Sequence, residues 1–269
     1  MSVVTFYGSN KIETAQTTSM AGIATHLSIE KNYNTLLLNT KYNDTSLQEC
    51  FWDQSMSIKP KSDLETGIGG LIKAIASNKT SPEIITNYTR TILKGRLELL
   101  TDYNMPIEDY DKQKEYMKRI IKMASRYYDL VFVDAEGSME DDYMKDILSE
   151  TNLIVANTTQ RIKYIQEFAE ERKKYNLSKK DNVIYLLGKY DKYSKYNVKN
   201  LQRLRRNKDV YGIPYNTLFF EACNEGTLVD FMIKYRKVRP NSMQSSIMTS
   251  FEEAGQRIIE KLKELQLHV

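Results

Sequence analysis

Short apolar runs alternate, along the whole chain, with longer stretches in which apolar residues recur every three or four positions. Val3-Val4-Thr5-Phe6-Tyr7 is apolar and β-branched, which predicts a buried strand. After a polar loop, Thr17-Thr18-Ser19 opens a helix whose apolar face runs through Met20, Ile23, Ala24 and Leu27. Thr35-Leu36-Leu37-Leu38 predicts a second strand, Arg96-Leu97-Glu98-Leu99-Leu100 a third, and Leu130-Val131-Phe132-Val133 a central one. Further strands are expected at 153–156, 183–187 and 210–213, each preceded or followed by a helix. Helical spacing predicts one helix from Asp63-Leu64-Glu65 through Leu71, Ile72 and Ile75. A second begins at Ser81-Pro82-Glu83 and carries Ile84, Ile85, Tyr88 and Ile92. A third covers 109–127, with Tyr116, Ile120, Ile121 and Met123 on its apolar side.

This alternation argues for an α/β fold: a mostly parallel sheet of about seven strands between two layers of helices. An amphipathic helix over 246–265 closes the chain, its stripe made by Ile258, Ile259, Leu262 and Leu265. Val238 to Gln244, around Arg239-Pro240, is the best boundary candidate, but the closing helix is expected to pack onto a single domain spanning 1–269. Its polar face mixes Glu253, Glu260 and Glu264 with Arg257, Lys261 and Lys263, so a membrane-targeting role is disfavoured.

Composition narrows the classes. At 269 residues and 41% hydrophobic content the chain has enough apolar material for a substantial core. No run reaches the roughly 20 apolar residues of a membrane-spanning helix. The start lacks the basic-then-apolar pattern of a signal peptide, and a cytoplasmic location is expected. Cys50 and Cys223 are far apart in sequence and the two histidines, His26 and His268, form no zinc pattern, so idle buried thiols are expected. A net charge of +4 is mild, and the 19 tyrosines look like base bias rather than a nucleic-acid face.

The candidate chemistry lies in residues 1–44. Strand, loop, hydroxyl-rich helix start and strand is the layout in which backbone amides and a helix N-terminus hold phosphate. Lys11-Ile12-Glu13-Thr14-Ala15-Gln16-Thr17-Thr18 resembles the deviant Walker A loop of the MinD/ParA family, roughly K-G-G-x-G-K-[S/T]-T. Lys11 falls on the signature lysine, and Thr17 and Thr18 on the two hydroxyls. Ile12, Glu13 and Ala15 replace glycines, and Gln16 replaces the lysine that reaches the phosphates. The resemblance therefore implies a P-loop NTPase-like three-layer domain with a degenerate nucleotide site at Lys11, Thr14, Ala15, Gln16, Thr17 and Thr18.

Asp129-Leu130-Val131-Phe132-Val133-Asp134-Ala135-Glu136-Gly137 resembles a Walker B strand, and Thr17 with Asp134 would hold Mg²⁺ if nucleotide is bound. At the end of the second strand the family carries an acidic switch; here Asn39 and Lys41 stand in those places and Asp44 follows. Neither an amide nor an ammonium organises an attacking water as a carboxylate does, so no catalytic residue is assigned. Gly188, in Leu186-Leu187-Gly188-Lys189-Tyr190-Asp191, stands where the family has an adenine-reading Asn. Ile213-Pro214-Tyr215-Asn216, Glu221 to Gly226 and Tyr88 to Leu100 resemble the TadZ/CpaE branch, which places bacterial pilus or secretion machinery at a cell pole.

Losing the lysine removes a charge-assisted bond of about 1.5–3 kcal/mol, so ATP with Mg²⁺ is expected to bind weakly or not at all. The leading expectation is a TadZ-like localisation or assembly scaffold, a homodimer with protein partners of a pilus, secretion or partition system. A competing one is a ParA-like partition or conjugative-element protein. It would hold DNA through Arg203-Leu204-Arg205-Arg206-Asn207-Lys208, with Arg172-Lys173-Lys174 and Lys179-Lys180 nearby in sequence. A third keeps an active ATPase in another register, with Thr17 at the lysine position and Thr18-Ser19 as the hydroxyls.

Overall fold

The computed structural model describes residues 1–8, 14–53, 67–79, 81–102, 106–174, 182–238 and 242–267. Lys11, Asp63-Leu64-Glu65, Lys179-Lys180 and Arg239-Pro240 lie outside the described residues, as do the side chains of Arg172 and Arg205.

Among the described residues eight strands make one sheet: β1 (Ser2–Tyr7), β2 (Thr35–Asn39), β3 (Arg90–Leu93), β4 (Leu97–Leu100), β5 (Leu130–Ala135), β6 (Leu153–Thr158), β7 (Val183–Tyr190) and β8 (Val210–Pro214). Their order is β3-β4-β2-β5-β1-β6-β7-β8, and every pair is parallel except β3 with β4. The chain runs from β1 to β2, on to the edge strand β3, back to β4 beside β2, and then to β5 between β2 and β1; from there it continues on the other side of β1 through β6, β7 and β8. This change of direction leaves a crevice at the carboxyl ends of β1, β5 and β2, where open α/β sheets bind ligands.

The extra strand corrects the expectation for 81–92. Pro82–Asn87 is a 3₁₀ helix, and Ile92 belongs to β3 instead. Leu93 to Arg96 is a tight turn closed by an Arg96 N–H bond to the Leu93 carbonyl, with Gly95 at φ 68°. The helical spacing across this region joined residues of two different elements.

Side chains alternate between the two faces of β1. Val4 and Phe6 join Leu37, Phe132 and Val155 on one side, while Val3 and Tyr7 join Leu36, Val131 and Val133 on the other. Helices α1 (Gln16–Glu30), α2 (Ser46–Glu49), α8 (Thr217–Asn224), α9 (Leu228–Lys234) and α10 (Met243–Leu267) cover the first face. The second is covered by α3 (Gly67–Ala76), α4 (Ile107–Tyr127), α5 (Asp142–Ser149), α6 (Ile162–Lys174) and α7 (Val198–Arg205).

The closing helix packs into this core rather than standing off it. Ile247, Phe251, Ala254, Ile258 and Leu262 are buried, whereas Ile259 and Leu265 are partly buried at the margin. Gly22 of α1 admits the Phe251 ring; a Cβ at Gly22 would lie 2.5 Å from its Cζ. Arg257 donates to both Asp209 oxygens (2.6 and 3.3 Å), joining α10 to the start of β8, and Lys261 adds a 3.1 Å ion pair. No described helix is long and apolar enough to cross a membrane.

Candidate functional site

The strand register sets out the site. Phe6 of β1 and Asn39 of β2 both lie beside Asp134 of β5, so one row crosses the carboxyl edge of the sheet. Asp134 is fully buried. A buried carboxylate must be paired, and this one is surrounded by donors. Gln16 Nε2 donates to Asp134 Oδ1 (2.6 Å), to the Phe6 carbonyl (3.0 Å) and to the Ala135 carbonyl (2.9 Å). Thr17 Oγ1 donates to Asp134 Oδ2 (2.7 Å). Lys41 Nζ lies 2.8 Å from the same Oδ2 and donates to Thr17 Oγ1 at 2.6 Å.

The loop after β2 holds Lys41 in this position. Thr40 donates through N–H and Oγ1 to the Asp134 carbonyl, and its own carbonyl accepts from the Tyr110 and Tyr143 hydroxyls. Burial raises the pKa of both phenols above the ordinary tyrosine value, so they stay protonated as donors. Asn39 accepts from the Lys41 N–H (3.0 Å) and donates to the Asp44 carbonyl (2.8 Å), shaping the turn. Asp44 Oδ1 accepts from Ser46 N–H at the start of α2, while Oδ2 lies 3.5 Å from Lys41 Nζ.

The helix end next to this cluster is built differently. Ala15, the residue before α1, is left-handed at φ 50° and offers no side-chain cap, so the first-turn amides of α1 carry none. Thr18 Oγ1 donates to the Ala15 carbonyl (3.3 Å) and closes the turn. The Thr14 hydroxyl and the Asn157 side-chain amide are buried without a hydrogen-bond partner among the described residues. The Thr14 hydroxyl borders Gly8: a Cβ there would lie 3.2 Å from Thr14 Oγ1, 2.9 Å from Gln16 Oε1 and 3.1 Å from the Asn157 backbone carbonyl oxygen. Gly188 also belongs to this packing, since a Cβ on it would lie 1.9 Å from the Thr14 carbonyl oxygen. Its glycine lets the loop approach β7.

Of the residues expected at the site, Thr14, Ala15, Gln16, Thr17, Thr18, Asn39, Lys41 and Asp134 do converge. Gln16 turns its amide to the sheet edge at Phe6, Asp134 and Ala135. Sequence reading missed that Lys41 pairs with Asp134, and missed Tyr110 and Tyr143 behind it. One signal was present: a lysine is absent at 16 and another stands at 41, at the end of a strand in register with Asp134.

The architecture has solved counterparts. A ParA family ATPase from Chlorobium tepidum superposes with a TM-score of 0.70 at 15% identity, over 95% of this chain and 97% of its own. The cell division ATPase MinD of Pyrococcus furiosus gives 0.68 at 15%, over 96% and 100%. The Aquifex aeolicus MinD of a MinC:MinD complex gives 0.65 at 14%, over 97% and 96%. The fold is that of the MinD/ParA ATPases. No protein-family model matches the chain, and no curated protein matches it in sequence.

In P-loop NTPases a loop Ser or Thr hydroxyl and a strand-end Asp hold the nucleotide's Mg²⁺. Thr17 and Asp134 have the right places, but they do not fit that ion as arranged. Asp134 Oδ1 is taken by Gln16, and Oδ2 by both Thr17 and Lys41. Among the described residues, no group of three or more His, Cys, Asp or Glu side chains is placed to hold a metal.

A second surface bears on partners. Between the end of β7 and the start of β8, Lys189, Lys192, Lys195, Lys199, Arg203, Arg206 and Lys208 are all exposed. None of them is ion-paired among the described residues. Tyr193 and Tyr196 stand among them, each with a lysine over its ring.

Proposed function

We propose that this protein is a MinD/ParA-fold localisation or assembly scaffold of the TadZ kind, with weak or absent ATP binding and no efficient hydrolysis. The observation that supports this most directly is how the Asp134 carboxylate is used: Gln16, Thr17 and Lys41 consume it internally. The positions where an acidic switch would poise water carry Asn39 and Lys41, both committed to the turn and to Asp134. Some affinity for an anion remains, through the start of α1, which has no side-chain cap, and the Thr14 hydroxyl and Asn157 amide, which have no partner among the described residues. Thr14, Ala15, Gln16, Thr17 and Thr18, with Lys11 of the sequence outside the described residues, are the residues proposed to meet such an anion.

A cytoplasmic homodimer is proposed by likeness of fold, with protein partners of a pilus, secretion or partition system. The similar Aquifex aeolicus MinD was solved in complex with MinC, which supports a protein-partner reading. Titration of the purified chain with ATP and Mg²⁺ should show little or no heat of binding, and phosphate release should stay at background. Release well above background that Asp134→Ala abolishes defeats the proposal.

A second reading, non-specific DNA binding, is supported by Lys189, Lys192, Lys195, Lys199, Arg203, Arg206 and Lys208, which are exposed and carry no ion pair among the described residues. Phosphate contacts predict affinity that falls steeply with salt, with a log–log slope of about −0.9 per contact. Arg203→Glu with Lys199→Glu should flatten that slope. No measurable affinity for duplex DNA at low salt removes this reading.

A further inference from the structure

The site carries its own cation. We propose that the Lys41 ammonium is a built-in replacement for the divalent ion that Thr17 and Asp134 would otherwise share. The inference rests on the scaffold reading above and accounts for the charge on the fully buried Asp134.

The geometry supports replacement rather than a chance neighbour. Nζ lies 2.6 Å from Thr17 Oγ1 and 2.8 Å from Asp134 Oδ2, between the two oxygens a metal would bridge. Mg²⁺ binds oxygen at about 2.0–2.1 Å, so an ion on those atoms would sit against the ammonium. Two cations cannot share that space. The lone pairs are also spoken for: Thr17 donates its proton to Asp134 and accepts from Lys41, and Asp134 has both oxygens engaged.

The ammonium is also held in place. The Lys41 side chain is 10% exposed, and its backbone N–H is bonded to Asn39 Oδ1. The preceding residue is clamped to the Asp134 carbonyl and to two tyrosine hydroxyls. The charge pattern agrees. Gln16, neutral, engages Asp134 Oδ1, and the positive charge of Lys41 meets the other oxygen, Oδ2. Removing the ammonium would leave Thr17, Asp134 and Asp44 as an oxygen set open to a divalent ion, since Asp44 Oδ2 already lies 3.5 Å from Nζ.

The test uses Mn²⁺ as probe, followed by water-proton relaxation and by thermal melting, on the full chain without nucleotide. The wild type is expected to show no saturable Mn²⁺ binding at millimolar metal and no change in melting temperature. Lys41→Met is expected to gain a saturable site, with melting raised by about 3–5 °C at ten times its Kd. The double variant Lys41→Met/Asp134→Asn is expected to lose both effects. Saturable binding by the wild type that Asp134→Asn abolishes overturns the proposal, and needs no Lys41 variant to fold. A folded Lys41→Met, checked by circular dichroism, that gains no Mn²⁺ site overturns it as well. Either result without ATP turnover leaves the scaffold reading standing, whereas turnover defeats that reading whatever Mn²⁺ does.

Discussion

Residue 16 shows how a single side chain redirects a site. A lysine there would project a charge into the loop; the glutamine bonds back to the Phe6 and Ala135 carbonyls and to Asp134. Gln16 is buried, so these acceptors have no water to turn to. Gln16→Ala should therefore destabilise the fold by about 2–4 kcal/mol, read from the midpoint of urea unfolding at unchanged slope. A loss under about 0.5 kcal/mol would show that the three bonds are replaced by solvent. That position 16 departs from a phosphate-binding loop was legible in the sequence. Which way the amide turns was not, because its partner Asp134 is 118 residues away. Lys41 is the same case: its type was visible, but its direction is set by Thr40, Tyr110 and Tyr143 from three separate segments.

At the scale of elements, the strands were the most legible part, since β-branched and apolar runs at 3–7, 35–38 and 130–133 can hardly sit anywhere but inside. The region 81–93 was not, because apolar spacing cannot separate a 3₁₀ turn plus an edge strand from one helix. The start of α3 carries a titratable group that no spacing announced. Asp102, just past β4, accepts from the Gly69 and Ile68 amides, and Gly67 at φ 82° leaves room for it. Burial raises its carboxyl to about 7 from 3.8, more than the amide bonds lower it, and the Asp109 charge adds to the rise. The folded chain then keeps a proton that the unfolded chain has released, so this contribution to stability is present below 3.8 and lost as pH rises through 7. Melting temperature should fall by several degrees between about pH 4 and about pH 8, and Asp102→Asn should flatten that slope while keeping an acceptor for the amides. An unchanged slope in the variant would assign the pH dependence elsewhere.

Across the whole molecule, distant segments meet in ways that change what single residues are. Cys50 and Cys223 stand in α2's end and α8, and the fold brings their thiols together in the core. The bond with Cys223 and burial push the Cys50 thiol well above its ordinary value, which leaves it protonated and inert. Neither thiol should react with Ellman's reagent in the folded protein, and both should react once guanidinium unfolds it; stoichiometric labelling without unfolding would contradict the packing. The closing helix is another such case: an amphipathic stripe can face lipid or core, and the fit of Phe251 over Gly22 places it in the core. The sequence by itself determined the element types, the layered parallel sheet and the departures at 16, 39 and 41, because these depend on short-range periodicity and on residue chemistry. Tertiary structure decided what those departures do: where Gln16 turns, which carboxylate Lys41 neutralises, and what Phe251 covers. Each depends on the direction of a side chain toward a partner far along the chain, and no local pattern encodes that direction.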